Sequence, residues 1–310
     1  MFVHETVLKE EAVESLHIQP EGVYVDCTVG GAGHSQMIAN KLSPSGTLIG
    51  LDQDQEAINI ARERLQSAKC RVILIKTNFR QIKQVVGHLG LSKVDGILFD
   101  LGVSSPQFDH QNRGFSYQKD APLDMRMDQT QSFSAYQLVN EWSEKEIADI
   151  LFRYGEERFS RRIARQIVLA RKKQPIRTTF QLVELIKQAI PASARRTGSH
   201  PARRSFQAIR IAVNDELNVL QQTLQDALDL LKKHGRMCVI TFHSLEDRIC
   251  KQFFLEHATS CICPPEIPVC VCNHQPLLRL ITKKPIVPTK EEIKRNRRAR
   301  SAKLRVIEKC

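Results

Sequence analysis

Tyr24 to Ser35 reads YVDCTVGGAGHS, a short β-favouring run that ends in an acid and breaks into a glycine-rich turn. Val23, Tyr24 and Val25 favour an extended strand, while Gly30, Gly31 and Gly33 permit a sharp turn and a close approach of backbone to a ligand. A helix expected from about Ser35 to Leu42 would aim its N-terminus at that ligand. The next apolar run, Thr47 to Leu51, ends in Asp52, about 20 residues beyond the turn, the distance at which α/β folds hold a ribose diol. The pattern is that of a nucleotide-cofactor site. A dinucleotide fingerprint ending at Gly33 would need glycine at position 28, where Thr28 stands. A site for S-adenosylmethionine uses the same strand, turn, helix and acid without a pyrophosphate to seat. Methyl transfer is therefore the leading expectation, with a nicotinamide oxidoreductase behind it.

The 310 residues suffice for about two domains with a proper core. Lys and Arg number 46 against 34 Asp and Glu, a net charge of +12 that draws a protein toward polyanions, nucleic acid first among them. Residues 1–10 carry His4, Glu5, Lys9 and Glu10, with no positive segment leading into an apolar core, so no secretory signal is visible. No uncharged apolar run approaches the roughly 18 residues that span a bilayer. Nine cysteines are an odd number and disulfides are not the expectation. The reading is of a cytoplasmic protein without membrane partners; its oligomeric state, a homodimer included, stays open.

Strand patterns near Val23 to Cys27, Thr47 to Asp52, Arg71 to Lys76 and Val94 to Leu101 alternate with helical stretches such as Gln55 to Ser67, which predicts a parallel, doubly wound α/β sheet. The next strand pattern, Arg236 to His243, comes roughly 135 residues later, although such a crossover needs about 30. Between them Ser143 to Phe152, Phe159 to Lys173 and Thr179 to Ile190 have apolar residues at helical spacing, so a helical domain is inserted. The spacing of Leu217, Leu220, Leu224, Leu228 and Leu231 predicts one long helix from Ser205 to Lys233, ended by Gly235. Leu277 to Ile281 and Lys303 to Ile307 read as two last strands. The boundaries expected are 1–108 with 205–310 for the sheet domain and 109–204 for the insert.

The fourth strand carries a second chemical centre, GILFDLGVSSPQFD, from which Asp100 emerges at the carboxyl end, the edge that faces ligands in a doubly wound sheet. An exocyclic amine that accepts a methyl group needs acceptors for its hydrogens, so that its lone pair turns toward the donor carbon. Asp100 and the carbonyls of Leu101 to Ser104 can supply them. The alternative is that Asp100 caps the following loop and Ser104 and Ser105 are turn residues.

Asp26 to Ser35 (DCTVGGAGHS), Asp100 to Gln107 (DLGVSSPQ), Arg113 to Ser116 (RGFS), Pro122 to Asp128 (PLDMRMD), Tyr154 to Phe159 (YGEERF), Phe206 to Asn214 (FQAIRIAVN), Phe242 to Arg248 (FHSLEDR) and Ala299 to Arg305 (ARSAKLR) occur in this order. Together they resemble the bacterial small-subunit (16S) ribosomal RNA cytosine-N4 methyltransferase family across almost the whole chain. The resemblance implies a class I methyltransferase (Rossmann-like) sheet with a helical substrate-recognition insert, S-adenosylmethionine as cofactor and 16S rRNA as partner. It implies methylation of the N4 amine of a cytosine in the ribosomal decoding region, within the small ribosomal subunit. Beside Gly30 and Gly31 of the turn, it places Ala32, Gly33 and His34 in the cofactor loop, Asp52 on the ribose and Phe79 by the adenine. Asp100 and Gln107 complete the site. A non-catalytic RNA-binding assembly factor is the rival reading from another class.

The loop Ala194 to Arg204 (ARRTGSHPARR) sets Arg195, Arg196, Arg203 and Arg204 among Gly and Pro, a composition suited to phosphate contacts. Lys290 to Arg305 adds eight more basic residues. Phe108, Phe115 or Tyr117 could stack on a base or pack between domains. His243, Ser244 and Glu246 look like parts of a nucleophile and base pair, but Ser244 is more simply the cap of a helix starting at Leu245. Cys261, Cys263, Cys270 and Cys272 form two Cys-x-Cys pairs flanked by His257 and His274, compatible with a structural zinc ion or with a rigid loop of reduced thiols. No metal is expected in the chemistry.

Overall fold

The structure, a computed structural model, describes residues 5–104, 107–108, 110–196, 200–261, 263, 269, 271–272 and 274–310, apart from the side chain at position 111. Ser105, Gly198 and Cys270, which figure in the sequence reading, lie outside the described residues. The chain separates into two compact units, Met1–Gly102 with Leu217–Cys310, and Val103–Glu216.

The first unit is built on seven strands, β1 (Val23–Asp26), β2 (Thr47–Asp52), β3 (Arg71–Lys76), β4 (Val94–Asp100), β5 (Leu231–Thr241), β6 (Leu278–Leu280) and β7 (Lys303–Lys309). They are ordered β3-β2-β1-β4-β5-β7-β6. The first five pair in parallel, and β7 runs antiparallel to both β5 and β6. That order and the reversed β7 are those of the class I methyltransferase sheet. Strand periodicity feeds two cores, because successive side chains point to opposite faces. Val25, Ile49, Ile97, Phe99 and Val239 join Leu220, Leu224 and Leu228 on one side. Tyr24, Leu48, Leu98 and Ile240 join Ala12 and Val13 of α1 (Lys9–Ser15) and Ile38 of α2 (Gly33–Lys41) on the other. Strand order reverses direction between β1 and β4, which leaves a crevice at their carboxyl ends.

The segment before α1 is anchored to residues far along the chain. Leu8 N donates to Glu292 Oε1 at 2.8 Å, Asn296 Nδ2 donates to the Glu5 carbonyl at 2.9 Å, and Arg295 pairs with Glu5 at 3.0 Å. Lys303 and Arg305 both reach Asp247 at 2.7 Å. Burial works against the charge on Asp247, but these partners outweigh it and hold the carboxyl below its usual range. Among the basic residues between 290 and 305, Arg295, Lys303 and Arg305 are thus engaged in ion pairs within the unit.

The second unit packs helices around Leu138, Ile147, Leu151, Ile163, Leu182, Ile186 and Ile209. Ser134, Ser143 and Thr178 open three of its helices with capping boxes closed by Gln137, Glu146 and Gln181. Buried Arg113 donates to the carbonyls of Arg126 and Met127, both at 3.0 Å. Asn214 accepts from Met127 N and donates to the Met125 carbonyl, each at 2.8 Å. The motifs RGFS, PLDMRMD and FQAIRIAVN are therefore joined by one hydrogen-bonded frame.

Two sequence expectations are corrected. The long helix is two, Arg203–Asn214 and Glu216–Leu230, separated by Asp215 in the left-handed region at φ 52°. Apolar spacing carries across that break, so periodicity alone did not mark it. Gly235 does not end the helix, which stops at Leu230; it lies in the irregular stretch of β5 between the pairings of Leu231 and Arg236 with β4. By packing, the units divide at 102/103 and 216/217, and Phe206, Ile209 and Val213 lie in the helical core. Among the described residues no helix is long and apolar enough to cross a membrane.

Close packing at the sheet centre gives a direct test. A Cβ on Gly96 would stand 2.7 Å from two ring carbons of Tyr24, which is 1% exposed and whose hydroxyl accepts from Gln19 N. Gly96→Ala is expected to destabilise the unit by about 1–3 kcal/mol through overpacking, read as a lower urea midpoint at unchanged slope. An unchanged midpoint would refute this account of the packing.

Candidate functional site

The site grows from the turn after β1. Asp26, 1% exposed, accepts from Ser35 Oγ at 2.6 Å and from Thr28 N at 3.1 Å, which curls the chain back over the strand end. Thr28 Oγ1 accepts from Asp100 N at 2.7 Å and so ties this turn to the end of β4. Glycine at position 28 would provide no such acceptor. Gly30, at φ 49°, donates its amide to Asp52 Oδ2 at 2.9 Å, and Asp52 Oδ1 accepts from Asp54 N at 2.9 Å. The Gly31 carbonyl accepts from the Arg64 guanidinium. Ala32 is left-handed at φ 59° and starts α2 with no side-chain cap, leaving the first-turn amides to other acceptors. Gly33 is needed for a close approach, since a Cβ there would stand 1.8 Å from Thr6 Oγ1.

His34 is 4% exposed and connects this turn to the fourth strand. Its Nε2 lies 3.1 Å from the Val7 carbonyl and its Nδ1 lies 3.6 Å from Asp100 Oδ2. A carbonyl only accepts, so Nε2 carries a proton; in the neutral ring Nδ1 then presents a lone pair to Asp100. Asp100 Oδ1 is buried without a hydrogen-bond partner among the described residues. Burial pushes the Asp100 carboxyl well above the usual carboxylate range, with the charges of Asp26 and Glu246 adding to it. A protonated Asp100 facing the Nδ1 lone pair is consistent with both observations. Burial also raises Asp26, and it raises Asp52 to about 6 against the hydrogen bonds from Asp54 and Gly30.

Along the carboxyl edge of this sheet stand Asp26, Asp52, Asp100 and Glu246, an acidic line in a chain of net charge +12. Glu246, 2% exposed, accepts from Phe242 N at 2.8 Å and His243 N at 3.2 Å. His243, not Ser244, caps the helix Ser244–His257: its ring accepts from Glu246 N, and its Nε2 lies 3.0 Å from Glu246 Oε1. The sequence reading of Ser244 as cap is corrected by one position. The histidine and glutamate complete a capping box, a helix-start device that accounts for their proximity.

Of the residues picked out by sequence, Gly30 to His34, Asp52 and Asp100 are brought together in the sheet unit by the bonds above. Phe79 follows β3, half-buried and edge-on to Phe99 at 5.6 Å, and Asn78 beside it donates to Gln53 at 3.0 Å. Gln107 belongs to the helical unit, buried, its Oε1 accepting from Ser104 N at 3.0 Å. Arg195 and Arg196 are exposed at the end of a short helical turn, and Arg204 is exposed with its guanidinium on the Glu156 carbonyl at 3.2 Å. Arg203 opens the helix Arg203–Asn214 and is half-buried. Phe115 is 5% exposed within the helical core, whereas Tyr117 stacks on His200 at 4.6 Å. Sequence reasoning missed the parts of Asp26 and Thr28. A visible sign was an acid two residues before a threonine at a strand end, the usual setting for a side chain that bonds its own backbone two residues on.

A cationic, ribose-bearing ligand suits this edge. Asp52 has about four acceptor directions and uses two on Gly30 and Asp54, which leaves two for a diol. The unpartnered Oδ1 of Asp100 and the uncapped start of α2 offer places for a donor and for an anion respectively.

A family model described as the MraW methylase family matches residues 1–310. The chain is 62% identical over 308 residues to "Ribosomal RNA small subunit methyltransferase H" of Brevibacillus brevis, covering 99% of this chain and 98% of that one. It is 57% identical over 315 residues to the protein of the same name from a Paenibacillus species, covering all of both. A third protein of that name, from Symbiobacterium thermophilum, is 56% identical over 308 residues and covers 99% of this chain and 97% of its own.

Proposed function

The chain belongs to the MraW methylase family, and on that premise we propose that it methylates small-subunit ribosomal RNA from S-adenosylmethionine, at the N4 amine of a cytosine in the decoding region. The observation that carries the reading is Asp100, at the end of β4 with one buried carboxyl oxygen unpartnered among the described residues. The names borne by relatives at 56–62% identity support ribosomal RNA as substrate. The order of motifs that resembles the cytosine-N4 family supports the amine.

When bound, S-adenosylmethionine supplies a methyl group on a cationic sulfur that needs no further activation. Asp52 would hold the ribose hydroxyls, Phe79 would flank the adenine, and the first turn of α2 would receive the carboxylate of the methionine part. A cation beside Asp100 favours its ionised form. Asp100 Oδ1 then accepts a hydrogen of the exocyclic amine and turns the nitrogen lone pair away from the base plane, and the carboxylate can take the proton that nitrogen loses. His34 Nδ1 lies behind Oδ2 at 3.6 Å, placed to receive a proton from it as Asp100 ionises. Thr28, through the Asp100 amide, fixes the height of the strand end. None of the residues named requires a covalent intermediate, in keeping with His243 acting as a helix cap. Arg195, Arg196, Arg203 and Arg204 would contact RNA phosphates from the helical unit.

The decisive experiment incubates the protein with small ribosomal subunits from a strain lacking it and methyl-labelled S-adenosylmethionine, followed by nucleoside mass spectrometry. Label is expected in N4-methylcytidine or its 2′-O-methylated form. It should vanish with Asp100→Ala while S-adenosylhomocysteine still binds. Absence of label on every subunit intermediate would move the reading to a non-catalytic RNA-binding factor.

Asp52 makes ligand binding depend on pH. Burial pushes its carboxyl up to about 6, and the diol requires the ionised form, so the bound state lowers that pKa and affinity is lost as pH falls through 6. S-adenosylhomocysteine should bind about tenfold more weakly at pH 5 than at pH 7.5 by calorimetry, and Asp52→Asn should give weak binding without that slope. A flat profile in the unaltered protein would remove Asp52 from this role. For RNA, changing Arg203 and Arg204 to alanine should lower the salt slope of binding by about one to two; an unaltered slope would place the phosphate contacts elsewhere.

A further inference from the structure

We propose that Cys261, Cys263 and Cys272 bind a zinc ion that cross-links the segment between the helix Ser244–His257 and β6. The three sulfurs lie within 4.8 Å of one another. Cys261 and Cys272 are separated by 3.9 Å between sulfurs. In a tetrahedral site with Zn–S of about 2.3 Å, neighbouring sulfurs stand about 3.8 Å apart, whereas a disulfide requires about 2.05 Å. Cys272 Sγ donates to Cys261 Sγ across that gap, and the same separation, unlike that of a disulfide, accommodates two ligands around a common ion without rearrangement. Val271 N approaches Cys263 Sγ at 3.4 Å, an amide donation that favours a thiolate.

Four other cysteines differ in kind. Cys27, Cys70, Cys238 and Cys250 are buried, and burial pushes the Cys27, Cys238 and Cys250 thiols far up, which keeps them protonated and inert. Cys261 is exposed and Cys263 and Cys272 half-exposed, open to an incoming ion.

The segment also needs a staple. Its ends are joined where Leu277 N donates to the His257 carbonyl at 2.9 Å. Between them Val269 and Val271 are each 69% exposed, so these apolar side chains contribute little burial to its order. Where apolar burial is small, a structural metal is a usual source of stability. Binding would release the thiol protons. Among the described residues no fourth His, Cys, Asp or Glu joins the three sulfurs, so water would take the fourth position. Cys270, the remaining thiol of the sequence pattern, lies outside the described residues. The metal would be structural, since nothing in the methyl-transfer reading draws on it.

The test is metal analysis of the full chain, expressed with zinc supplied and purified under reducing, chelator-free conditions. About one zinc per chain is expected. Cys261→Ser with Cys272→Ser should lose it while keeping the circular dichroism of the sheet and the binding of S-adenosylhomocysteine. Cobalt exchange should give thiolate-to-cobalt charge-transfer and tetrahedral ligand-field bands in the unaltered protein. Should the double variant fail to fold, Cys263→Ser with cobalt must still shift those bands. Metal content below about a tenth per chain, with all three thiols reacting freely with a disulfide reagent, would overturn the proposal. So would a Cys261–Cys272 disulfide recovered from reduced preparations.

Discussion

The amide of Asp100 reaches Thr28 Oγ1 at 2.7 Å, and this one bond fixes the ends of the two central strands against each other. β1 and β4 stay paired to their carboxyl ends, with Cys27 N donating to the Leu98 carbonyl at 2.9 Å, and the crevice opens where strand order reverses between them, with the acid on one and the turn on the other in contact beneath it. The threonine hydroxyl settles the distance. A net worth of about 0.5–1.5 kcal/mol is ordinary for such a bond, and its structural effect is larger than its energy. The Asp26 contacts to Ser35 and Thr28, the Gly30 contact to Asp52 and the His34 contact to Asp100 all presuppose the same turn.

Electrostatics turns that geometry into a ligand preference. Four acids line the edge, and desolvation is the first cause of the raised carboxyls at Asp26, Asp52 and Asp100. Buried carboxyls of this kind are costly to ionise alone and gain most from a cation that arrives with its own charge. The basic surplus of the chain lies elsewhere, and part of it is spoken for: Arg295, Lys303 and Arg305 hold Glu5 and Asp247. The arginines between 195 and 204 belong to the helical unit, so the acidic edge and the arginine cluster sit on separately packed cores.

Strands were legible in the sequence wherever β-branched runs met a sharp boundary. Thr47–Asp52 and Arg71–Lys76 have the same ends in the structure as in the pattern. The parallel doubly wound sheet and the helical insert followed from periodicity, and the resemblance added the class of the sheet. What failed did so for physical reasons. Asp215 breaks a helix by backbone handedness, which apolar periodicity does not record. His243 displaces Ser244 as cap because imidazole nitrogen can accept an amide as a hydroxyl does. Thr28 and Asp26 act through partners 72 and 9 residues away, contacts that no local window displays. Arg113 and Asn214, within motifs that suggested function, serve the frame of the helical unit.

The anchoring of Leu8 to Glu292 and of Glu5 to Asn296 bears on how the molecule is made. Thr6 and Val7, which touch Gly33 and His34 of the turn, sit between those anchors. A ribosome therefore delivers the first wall of the crevice long before the residues that clamp it, and sequence separations of 284 and 291 must be closed last. Loop closure on that scale is slow relative to local structure. During synthesis the sheet can assemble around its parallel centre while the turn over β1 is still unbraced, and competence for ligand should appear only once the distal chain has docked, as a late and separate event in the history of each molecule.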